Sequence, residues 1–373
     1  MAKLSLAELS ALLASVVTEA KASNPSFVES HDNIVGLIDK IGKIVTFDTS
    51  YLDKLALFDG EDLSFGKTIE EWQQDLQLPE SFDADGSGAL APHVPTYRPV
   101  SYSYTLGRKV WKTTIPYDNI ERAVHFEEQF ISITAMIMKR LEDSYIMFKY
   151  GLKREALGLL ASMCLEAEDV SNATAYAIST AFDVGDVVYG GTSPYETAIV
   201  VKPIPATNSK TWAQALEAGL IIKYELSKIV AVPVDATTGE NFVKAVKTDI
   251  EIASDVSEGH SLNGNTLGAS EGLVLLVKQG VIPAVEVDVM AGAFHSEKVA
   301  LPAELVVVKD FGSQAPSGVY AILMDRRGMR LHNTYRAVRE QLNADGDFMN
   351  YFRHSEDTVH ISRNTFVRIY KAS

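Results

Sequence analysis

The chain has 373 residues, 46% of them hydrophobic and 22% charged, which is the composition of a globular protein and excludes a disordered or fibrous one. The formal net charge of −15 disfavours specific binding to nucleic acid, because an acidic surface repels phosphate groups. No apolar run has the length of a membrane span, since the best one, from Leu273 to Val277, is followed by Lys278.

The N-terminal residues predict an amphipathic helix. Ser5 and Glu8 have the spacing of a capping box, which satisfies the free N–H groups of a first helical turn. Apolar residues then recur at helical intervals. They are Leu6, Leu9, Leu12, Leu13, Val16, Val17 and Ala20. Glu8 interrupts the apolar core that a secretory signal requires, so a helix is the better interpretation.

Residues 59–100 carry few signs of regular structure. Apolar spacing predicts a short helix from Ile69 to Leu76, and glycine and proline predict a loop from Pro79 to Pro99. Within that loop, Asp83 to Gly88 resembles the start of a calcium-binding loop. Val94, however, occupies the position that needs a bidentate glutamate. We therefore expect a polar turn without a metal.

Two runs of aromatic and β-branched residues follow and predict a β-hairpin. The runs are Ser101–Thr105 and Val110–Ile115, and the segment Leu106–Lys109 between them contains Gly107. A glycine between two such runs favours a turn. The two runs are therefore expected to pair with each other.

The strongest periodic pattern predicts a long helix. Asp118 and Glu121 form a capping box, with Pro116 just outside it, and one apolar stripe continues at intervals of three and four residues. The stripe consists of Phe126, Phe130, Ile133, Ile137, Leu141, Tyr145 and Phe148. The helix is expected to run from Asn119 to Tyr150 and to end or bend at Gly151. A second helix then carries Leu152, Ala156, Leu159 and Met163.

Beyond residue 170 the pattern predicts short strands separated by glycine and proline, with one further helix from Trp212 to Leu226. The expected strands are 197–204, 273–277, 285–290, 305–308, 318–324 and 365–370. Residues 333–341 and 347–353 are either strands or short helices. The stretch 255–270 is rich in Ser, Gly and Asn and is expected to be a mobile loop. Together these elements predict the class α+β, with mixed sheets and one unusually long helix.

Side-chain patterns for catalysis or metal binding are missing from the sequence. The eight histidines do not cluster, and His354 and His360 lack the spacing of ligands on one helix face. No P-loop, dinucleotide fingerprint or nucleophile elbow is present. Cys164 lies in an apolar run and is expected to be a buried thiol instead of a nucleophile. The residues therefore predict a protein that is not an enzyme and holds no cofactor or metal.

The C-terminal third contains a succession of segments that resembles the capsid proteins of small short-tailed phages. The segments are Val289–His295, Gly318–Gly328, Asn343–His354 and Phe366–Tyr370. These proteins belong to the family of tailed-phage capsid proteins with the fold of phage HK97. The order of elements over nearly the whole chain is also similar to that family, which has an N-terminal arm, a β-hairpin arm, a long spine helix, an axial domain and a returning C-terminal segment.

The resemblance implies an HK97-like α+β fold with five parts. They are an N-terminal arm at 1–46, an extended loop at 47–117, a peripheral domain with the spine helix at 118–205, an axial domain at 206–328 and a return to the peripheral domain at 329–373. Residues 50–100 are longer than the minimal family pattern. They are either an extension of the hairpin arm or an inserted loop.

The resemblance also implies a major capsid protein that self-assembles as hexamers and pentamers into an icosahedral head around a dsDNA genome. The implied partners are further copies of the chain, a portal protein, and scaffold or head-decoration proteins, with no membrane. Assembly in the host cytoplasm and residence in the virion follow. Two alternatives remain open: the shell protein of a cellular nanocompartment with the same fold, and an enzyme with an unrecognised site. Neighbouring portal and terminase genes would favour the phage, and a deep pocket with two pKa-shifted groups would favour an enzyme.

An aromatic and basic cluster in the predicted hairpin has two possible roles. Its members are Tyr104, Arg108, Lys109, Trp111 and Lys112. A tryptophan in a strand commonly covers the core of its own chain, which is the first interpretation. The second is a contact between subunits, because a long hairpin cannot bury both faces against itself and because basic residues complement a surface that is acidic overall. We predict the contact role for these five residues.

Overall fold

The computed structural model describes residues 51–63, 69–74, 97–101, 103–116, 127–269, 272–281, 303–346 and 348–372. The predicted N-terminal helix, the calcium-like turn at 83–88, the capping box at 118–121 and the predicted strand 285–290 lie outside these residues. The chain divides into two compact units. The first contains the described parts of Met1–Leu52, Lys109–Phe148 and Arg336–Ser355, and the second contains those of Asp53–Arg108, Lys149–Tyr335 and Glu356–Ser373.

Helices and strands alternate irregularly along the described residues, which confirms the α+β class. The helices are α1 (Glu127–Ala167), α2 (Trp212–Glu217) and α3 (Ala236–Ala253). The strands before α2 are β1 (Glu70–Gln74), β2 (Tyr97–Ser101), β3 (Ser103–Thr105), β4 (Lys109–Pro116), β5 (Thr174–Ala175), β6 (Val187–Gly190) and β7 (Glu196–Val200). Those after α2 are β8 (Ile221–Lys223), β9 (Ser227–Ile229), β10 (Val256–Ser261), β11 (Gly264–Leu267), β12 (Leu273–Lys278), β13 (Glu304–Val308), β14 (Val319–Asp325), β15 (Met329–Asn343), β16 (Phe348–Ile361) and β17 (Val367–Lys371).

The first unit contains strand β4, the adjoining halves of β15 and β16, and the start of α1. β15 and β16 are neighbours in one sheet, and the connection from Asn343 to Phe348 is short enough only for an antiparallel hairpin. On the other side of β16, β4 runs antiparallel, with Lys109 opposite Ser355 at one end of the pairing. Strand and helix were both open for 333–341 and 347–353, and the described residues 333–341 and 348–353 are strands.

The predicted hairpin between residues 101–105 and 110–115 is wrong. β3 pairs with residues 358–360 of β16, and β4 pairs with residues 348–355 of the same strand. The N–H of Leu106 donates to the carbonyl of Asp357 at 2.9 Å, so residues 106–108 form a bulge along one edge and not a turn. Gly107 lacks the positive φ that a two-residue hairpin turn requires. The long edge of β16 offers partners to the backbone groups of both runs, which the local pattern could not reveal.

The two helices predicted on either side of Gly151 are one, because α1 continues to Ala167. A glycine inside a helix costs only about 1 kcal/mol relative to alanine, whereas the following turns bury several apolar side chains. Those side chains are Ala156, Leu157, Leu160, Ala161 and Cys164. Of the predicted stripe, Leu141 and Tyr145 are buried as expected, and the side chains of residues 127–138 lie outside the description.

A five-stranded mixed sheet forms the centre of the second unit, in the order β13-β12-β14-β17-β9. Alternate residues of each strand face opposite sides. In β12, Val274 and Leu276 join the core that contains the second half of α1, and Leu275 and Val277 join the core that contains α3. The sheet is thus covered by a helix on each face, which explains the apolar runs of its central strands β12 and β14.

Four of the predicted strands are confirmed in this central sheet. Residues 273–277, 305–308, 318–324 and 365–370 correspond to β12, β13, β14 and β17. β12 is parallel to β13 and antiparallel to β14, and β17 is antiparallel to β14 and parallel to β9. β12, β14 and β17 are buried on both faces, and strands of that kind are strongly marked in a sequence.

The expected mobile loop at 255–270 is instead an antiparallel pair of strands, β10 and β11. The hydroxyls that suggested a loop are buried and satisfied within the pair. Ser257 and Thr266 hydrogen-bond to each other across the strands, and Oγ of Ser261 donates to the carbonyl of Gly264 at 2.8 Å. Composition was misleading because a buried hydroxyl needs only a partner, not solvent.

Two further predicted helices are shortened or replaced by strands. The helix predicted for 212–226 ends at Glu217, and Gly219 adopts a φ of +59° as the chain turns into β8, which pairs with β7. Within the helix predicted for 69–76, residues 70–74 are instead strand β1, which pairs with β2. In both segments strand pairing with residues distant in sequence outweighs the local helical spacing.

A smaller four-stranded sheet in the second unit has the order β5-β6-β7-β8 and packs with α2. Its buried apolar side chains form a separate core. They are Phe182, Val188, Ala198, Val200, Ile204, Ala215 and Ile221. This core supports a group of aromatic rings at the surface, of which Tyr176 stacks on Phe182 with centroids 5.6 Å apart.

Candidate functional site

The described residues contain no group of three or more His, Cys, Asp or Glu side chains that could hold a metal ion. Cys164 is fully buried, as predicted. Burial raises the pKa of its thiol far above the usual range, which suppresses the reactive thiolate. None of the described helices is long and apolar enough to span a membrane. The five residues predicted to contact other subunits all lie in or beside β3 and β4.

Trp111 packs inside the first unit. Strand alternation turns its side chain toward α1, where the ring meets Tyr145 and Phe148 edge-on at centroid distances of 5.4 and 5.3 Å. Its cross-strand neighbour Arg353 is buried. The Arg353 guanidinium lies over the Tyr145 ring at 4.0 Å and forms an ion pair with Glu142. Trp111 therefore contributes to the core of its own unit, and its contact with another subunit stays a prediction.

The opposite face of the β4–β16 pair carries cross-strand contacts near the surface. The ammonium group of Lys112 lies 5.9 Å from the ring centre of Phe352, and Oγ1 of Thr114 donates to Oδ1 of Asn350 at 2.7 Å. Val110 lies on the same face of β4 as Lys112 and is an exposed apolar residue. We call this surface the outward face and define it by Val110, Lys112, Thr114, Asn350 and Phe352.

The five predicted contact residues are divided between the two units. The second unit contains Tyr104 and Arg108, and the first contains Lys109, Trp111 and Lys112. Tyr104 is 70% exposed, and Lys109 is exposed at the start of β4. Arg108 stacks over the ring of Tyr335 at 3.8 Å and lies 3.8 Å from the carboxylate of Glu356. Arg108 is thus engaged within its unit, whereas Tyr104 and Lys109 are at the surface.

The second unit contains a buried polar cluster that sequence reasoning missed. Asp249 of α3 is fully buried and accepts hydrogen bonds from Tyr370 at 2.7 Å and from Lys228 at 3.2 Å. Arg368 of β17 donates to the same carboxylate at 3.3 Å and to Nε2 of His260 at 2.8 Å. The cluster therefore joins α3, β9, β10 and β17 through charge-assisted hydrogen bonds.

The protonation state of His260 follows from its partners. A guanidinium can only donate, so Nε2 of His260 accepts from Arg368, and Nδ1 carries the proton that bonds to the carbonyl of Glu258 at 2.6 Å. The ring also stacks on Phe366 with centroids 5.3 Å apart. Burial, and then the charge of Arg368, lower the pKa of His260. The neutral imidazole is thus part of the folded cluster.

A sequence pattern could have found both α3 and this cluster. Asp235 and Thr238 form a capping box at the start of the helix, and Phe242 and Val246 continue an apolar stripe. Asp249 follows Val246 by three residues and lies on the same helical face. A carboxylate within an apolar stripe indicates a buried, paired charge.

The described fold is similar to solved structures from phage heads. A chain in the capsid structure of Staphylococcus phage Andhra matches with a TM-score of 0.60 at 8% identity, over 88% of this chain and 86% of that one. A chain in the structure of the head fiber and inner core protein gp22 of native bacteriophage P68 matches with a TM-score of 0.55 at 10% identity, with the same shares covered. The chain has the HK97-like α+β fold of phage capsid proteins.

Sequence comparison leads to the same class of protein. Residues 207–369 match the model of the family described as Phi29-like phage major capsid protein. The major capsid proteins of Bacillus phages PZA and GA-1 are 21% and 20% identical over 342 and 340 residues, or 90% and 89% of this chain. Because the matches cover 62% and 59% of those proteins, the chain spans about three fifths of their length. The resemblance to phage major capsid proteins is thus confirmed.

Proposed function

We propose that this chain is the major capsid protein of a tailed bacteriophage and assembles as hexamers and pentamers into an icosahedral head around a dsDNA genome. The sequence similarity to major capsid proteins over nine tenths of the chain carries the proposal, and the shared fold supports it. The role is structural and not enzymatic. Copies assemble in the host cytoplasm and reside in the virion. No observation favours a nanocompartment shell or an enzyme over this role.

The proposal assigns the parts of the chain as the family resemblance implies. Residues 1–46 form the N-terminal arm, 47–117 the extended loop, 118–205 and 329–373 the peripheral domain, and 206–328 the axial domain. The 41 residues of α1 support its assignment as the spine helix. β17 shares its sheet with β9, β12 and β14, so the returning segment contributes one strand to a sheet whose other strands lie in the axial domain.

We propose that copies of the chain contact one another through the surface around β3 and β4. The residues are Tyr104, Arg108, Lys109, Trp111 and Lys112. Exposure of Tyr104, Lys109 and Lys112 supports this role. A chain with a net charge of −15 presents a mostly acidic surface to its neighbours, so exposed lysines attract it. Trp111 acts indirectly, because its packing on α1 holds β4 in place.

The same proposal includes partners other than the chain itself. A portal protein and scaffold or head-decoration proteins complete the head, and the enclosed dsDNA is held without sequence-specific contacts. The acidic net charge supports weak contact with DNA, because the excess of acidic side chains repels phosphates. Weak contact suits a packaged genome, which must slide along the inner wall during entry and exit.

Purified protein tests the proposal. We expect light scattering to detect particles on the order of tens of subunits or more, as closed symmetric assembly requires, and negative-stain electron microscopy to show shells of uniform size. A clean monomer over a wide range of protein and salt concentrations would contradict the capsid function.

A further inference from the structure

A pocket of about 390 Å³ lies beside the smaller sheet of the second unit. Its lining includes four aromatic side chains, Tyr176, Tyr189, Tyr195 and Trp212. Among the described residues, no charged side chain lines it. A concave, aromatic site favours a ligand with flat apolar surfaces, and without a charged side chain it offers no ion-pair partner to phosphates or carboxylates.

The rings of this pocket are held in fixed positions. The indole of Trp212 lies against Gly190, where an added Cβ would be 2.4 Å from the ring. Trp212 meets Tyr176 edge-on at 5.7 Å, and Tyr189 meets Tyr195 in the same manner at 5.4 Å. Because the rings already support one another, a ligand would bind with little loss of side-chain freedom.

Polar groups of the pocket indicate what the ligand must supply. The indole N–H of Trp212 and the hydroxyls of Tyr189 and Tyr195 make no hydrogen bond within the part of the chain that the structure describes. They can donate to peptide carbonyls. A proline residue combines a flat apolar ring with a carbonyl acceptor and has no N–H that would need a partner. The pocket therefore matches a proline-rich segment in the polyproline II conformation, which docks in aromatic-lined grooves.

The sequence of this chain contains such a segment, Pro92-His93-Val94-Pro95. It lies outside the described residues, but its attachment is defined, because Gln74 and Tyr97 pair at the end of the β1–β2 ribbon. Pro92 lies a few residues before Tyr97 in the sequence. A fully extended chain of that length places Pro92 at most about 17 Å from the end of the ribbon. Since polyproline II has three residues per turn, Pro92 and Pro95 would present their rings on one face.

We propose that the aromatic pocket binds the Pro92–Pro95 segment of a second copy of this chain. The inference rests on the proposed function and deepens it, because it adds a specific contact between copies. A 22-residue excursion from one ribbon end, with both ends anchored, is long enough to project from its own chain. The neutral pocket also suits a contact that must form between subunits of like net charge, because it depends on ring packing and hydrogen bonds and not on ion pairs.

A peptide titration tests the pocket directly. A fluorescently labelled peptide with the sequence of residues 88–97 is titrated into the full chain carrying Pro92→Ala and Pro95→Ala, so that no copy occupies the pocket with its own segment. We expect saturable binding in fluorescence anisotropy. Adding Tyr195→Ala should weaken binding about tenfold or more, because it removes a ring and a donor from a side chain that is 54% exposed and so leaves the fold intact, as circular dichroism can check.

Matched controls define the outcomes. Val234→Ala truncates another exposed apolar side chain outside the pocket and should leave binding unchanged, and a peptide with both prolines replaced by alanine should not bind. Absence of binding overturns the inference, as does equal binding by the Tyr195→Ala chain or by the proline-free peptide. Binding of a neutral oligosaccharide such as maltotriose, without binding of the peptide, would assign the pocket to a different ligand and also overturn it.

A mixing experiment tests whether the occupant comes from a second copy. A tagged chain with Pro92→Ala and Pro95→Ala keeps its pocket, and a Tyr195→Ala chain keeps its prolines. The tagged chain should retain more of the Tyr195→Ala chain than of a chain that carries all three substitutions. Equal retention overturns the assignment to a second copy. Shell formation is measured separately, so normal shells without peptide binding reject only this inference, and peptide binding without shells rejects only the capsid function.

Discussion

At the scale of single residues, the buried cluster depends on Asp249. This carboxylate is shared by Arg368, Lys228 and Tyr370, and its buried charge is tolerated because cations compensate for lost hydration. Asp249→Ala would remove the buried carboxylate and leave the buried Arg368 with the half-exposed carboxylate of Glu225, 3.8 Å away. We expect the free energy of unfolding to fall by about 3–5 kcal/mol, measured by urea denaturation of the unassembled subunit.

An exposed ion pair of the same helix provides the control for Asp249. Glu240 and Lys244 lie 2.8 Å apart on the solvent side of α3. Glu240→Ala should change the free energy of unfolding by less than about 0.5 kcal/mol, because water solvates both groups. If the free energy of unfolding fell by a similar amount in both variants, the burial of Asp249 would not be the reason that the cluster stabilises the fold.

His260 gives the second unit a pH dependence whose sign can be worked out. Its pKa is lowered from the usual value of 6.5, first by burial and then by Arg368. Below that value the unfolded chain takes up a proton that the folded chain resists, so stability falls as the pH falls. We expect the free energy of unfolding to decrease between about pH 7 and pH 5.5 and His260→Gln to flatten this slope in urea denaturation. An unchanged slope in the variant would contradict the role of His260.

Burial of individual residues was predictable, but their partners were not. The apolar run around Cys164 and the stripe through Leu141 and Tyr145 correctly indicated buried side chains. For Trp111 we predicted a contact with another subunit, and the ring packs on Tyr145 and Phe148 of α1, which a long stretch of chain separates from it. A periodic pattern shows which side of an element is covered, and only the folded chain shows what covers it.

At the scale of elements, two glycines of α1 lead to opposite predictions for the same substitution. A Cβ at Gly151 would meet no atom within 4 Å, whereas a Cβ at Gly158 would lie 2.2 Å from the carbonyl oxygen of Phe311. Gly151→Ala should raise the free energy of unfolding by about 0.5–1 kcal/mol through helix propensity. Gly158→Ala should lower it by about 1–3 kcal/mol, because backbone atoms must move apart. Each variant is the control for the other, and thermal shifts of the same sign would contradict both arguments.

Elements were predicted well where their partners left a strong local pattern. The central strands, including β12 and β14, are apolar throughout because helices cover both faces of their sheet. The hairpin at 101–115 and the loop at 255–270 were misjudged for a common reason. The first depends on pairing with β16, and the second on hydroxyls that satisfy each other across β10 and β11. Composition and spacing contain no record of such pairings.

At the scale of the whole molecule, charge reversal at Lys109 and Lys112 tests the contact between subunits. Both side chains are exposed, so Lys109→Glu with Lys112→Glu should keep the circular dichroism spectrum and change the free energy of unfolding by no more than about 0.5 kcal/mol. Shell formation should decrease, because glutamates would face the acidic surface of a neighbour. Lys244→Glu, on α3, should assemble as the parent does. Normal shells from the double variant, counted by electron microscopy, would contradict the proposed contact.

The class of the whole molecule was accessible from the sequence, but its aromatic pocket was not. Composition excluded broad classes, and the succession of C-terminal segments indicated the capsid fold. The pocket combines Tyr176, Tyr189, Tyr195 and Trp212, which come from separate parts of the smaller sheet and from α2. None of these residues stands out by spacing, so only their meeting in space suggests a ligand.

The position of β17 also matters while the chain is being made. β17 lies between β14 and β9 in the central sheet, but a ribosome synthesises it after both. At about 5–20 residues per second, β9 emerges on the order of ten seconds before the strand that flanks it. During that interval the edge of β9 lacks its partner and is open to pairing with another nascent chain. The speed at which the ribosome translates the residues between β9 and β17 therefore affects how many subunits finish folding before they contact another nascent chain.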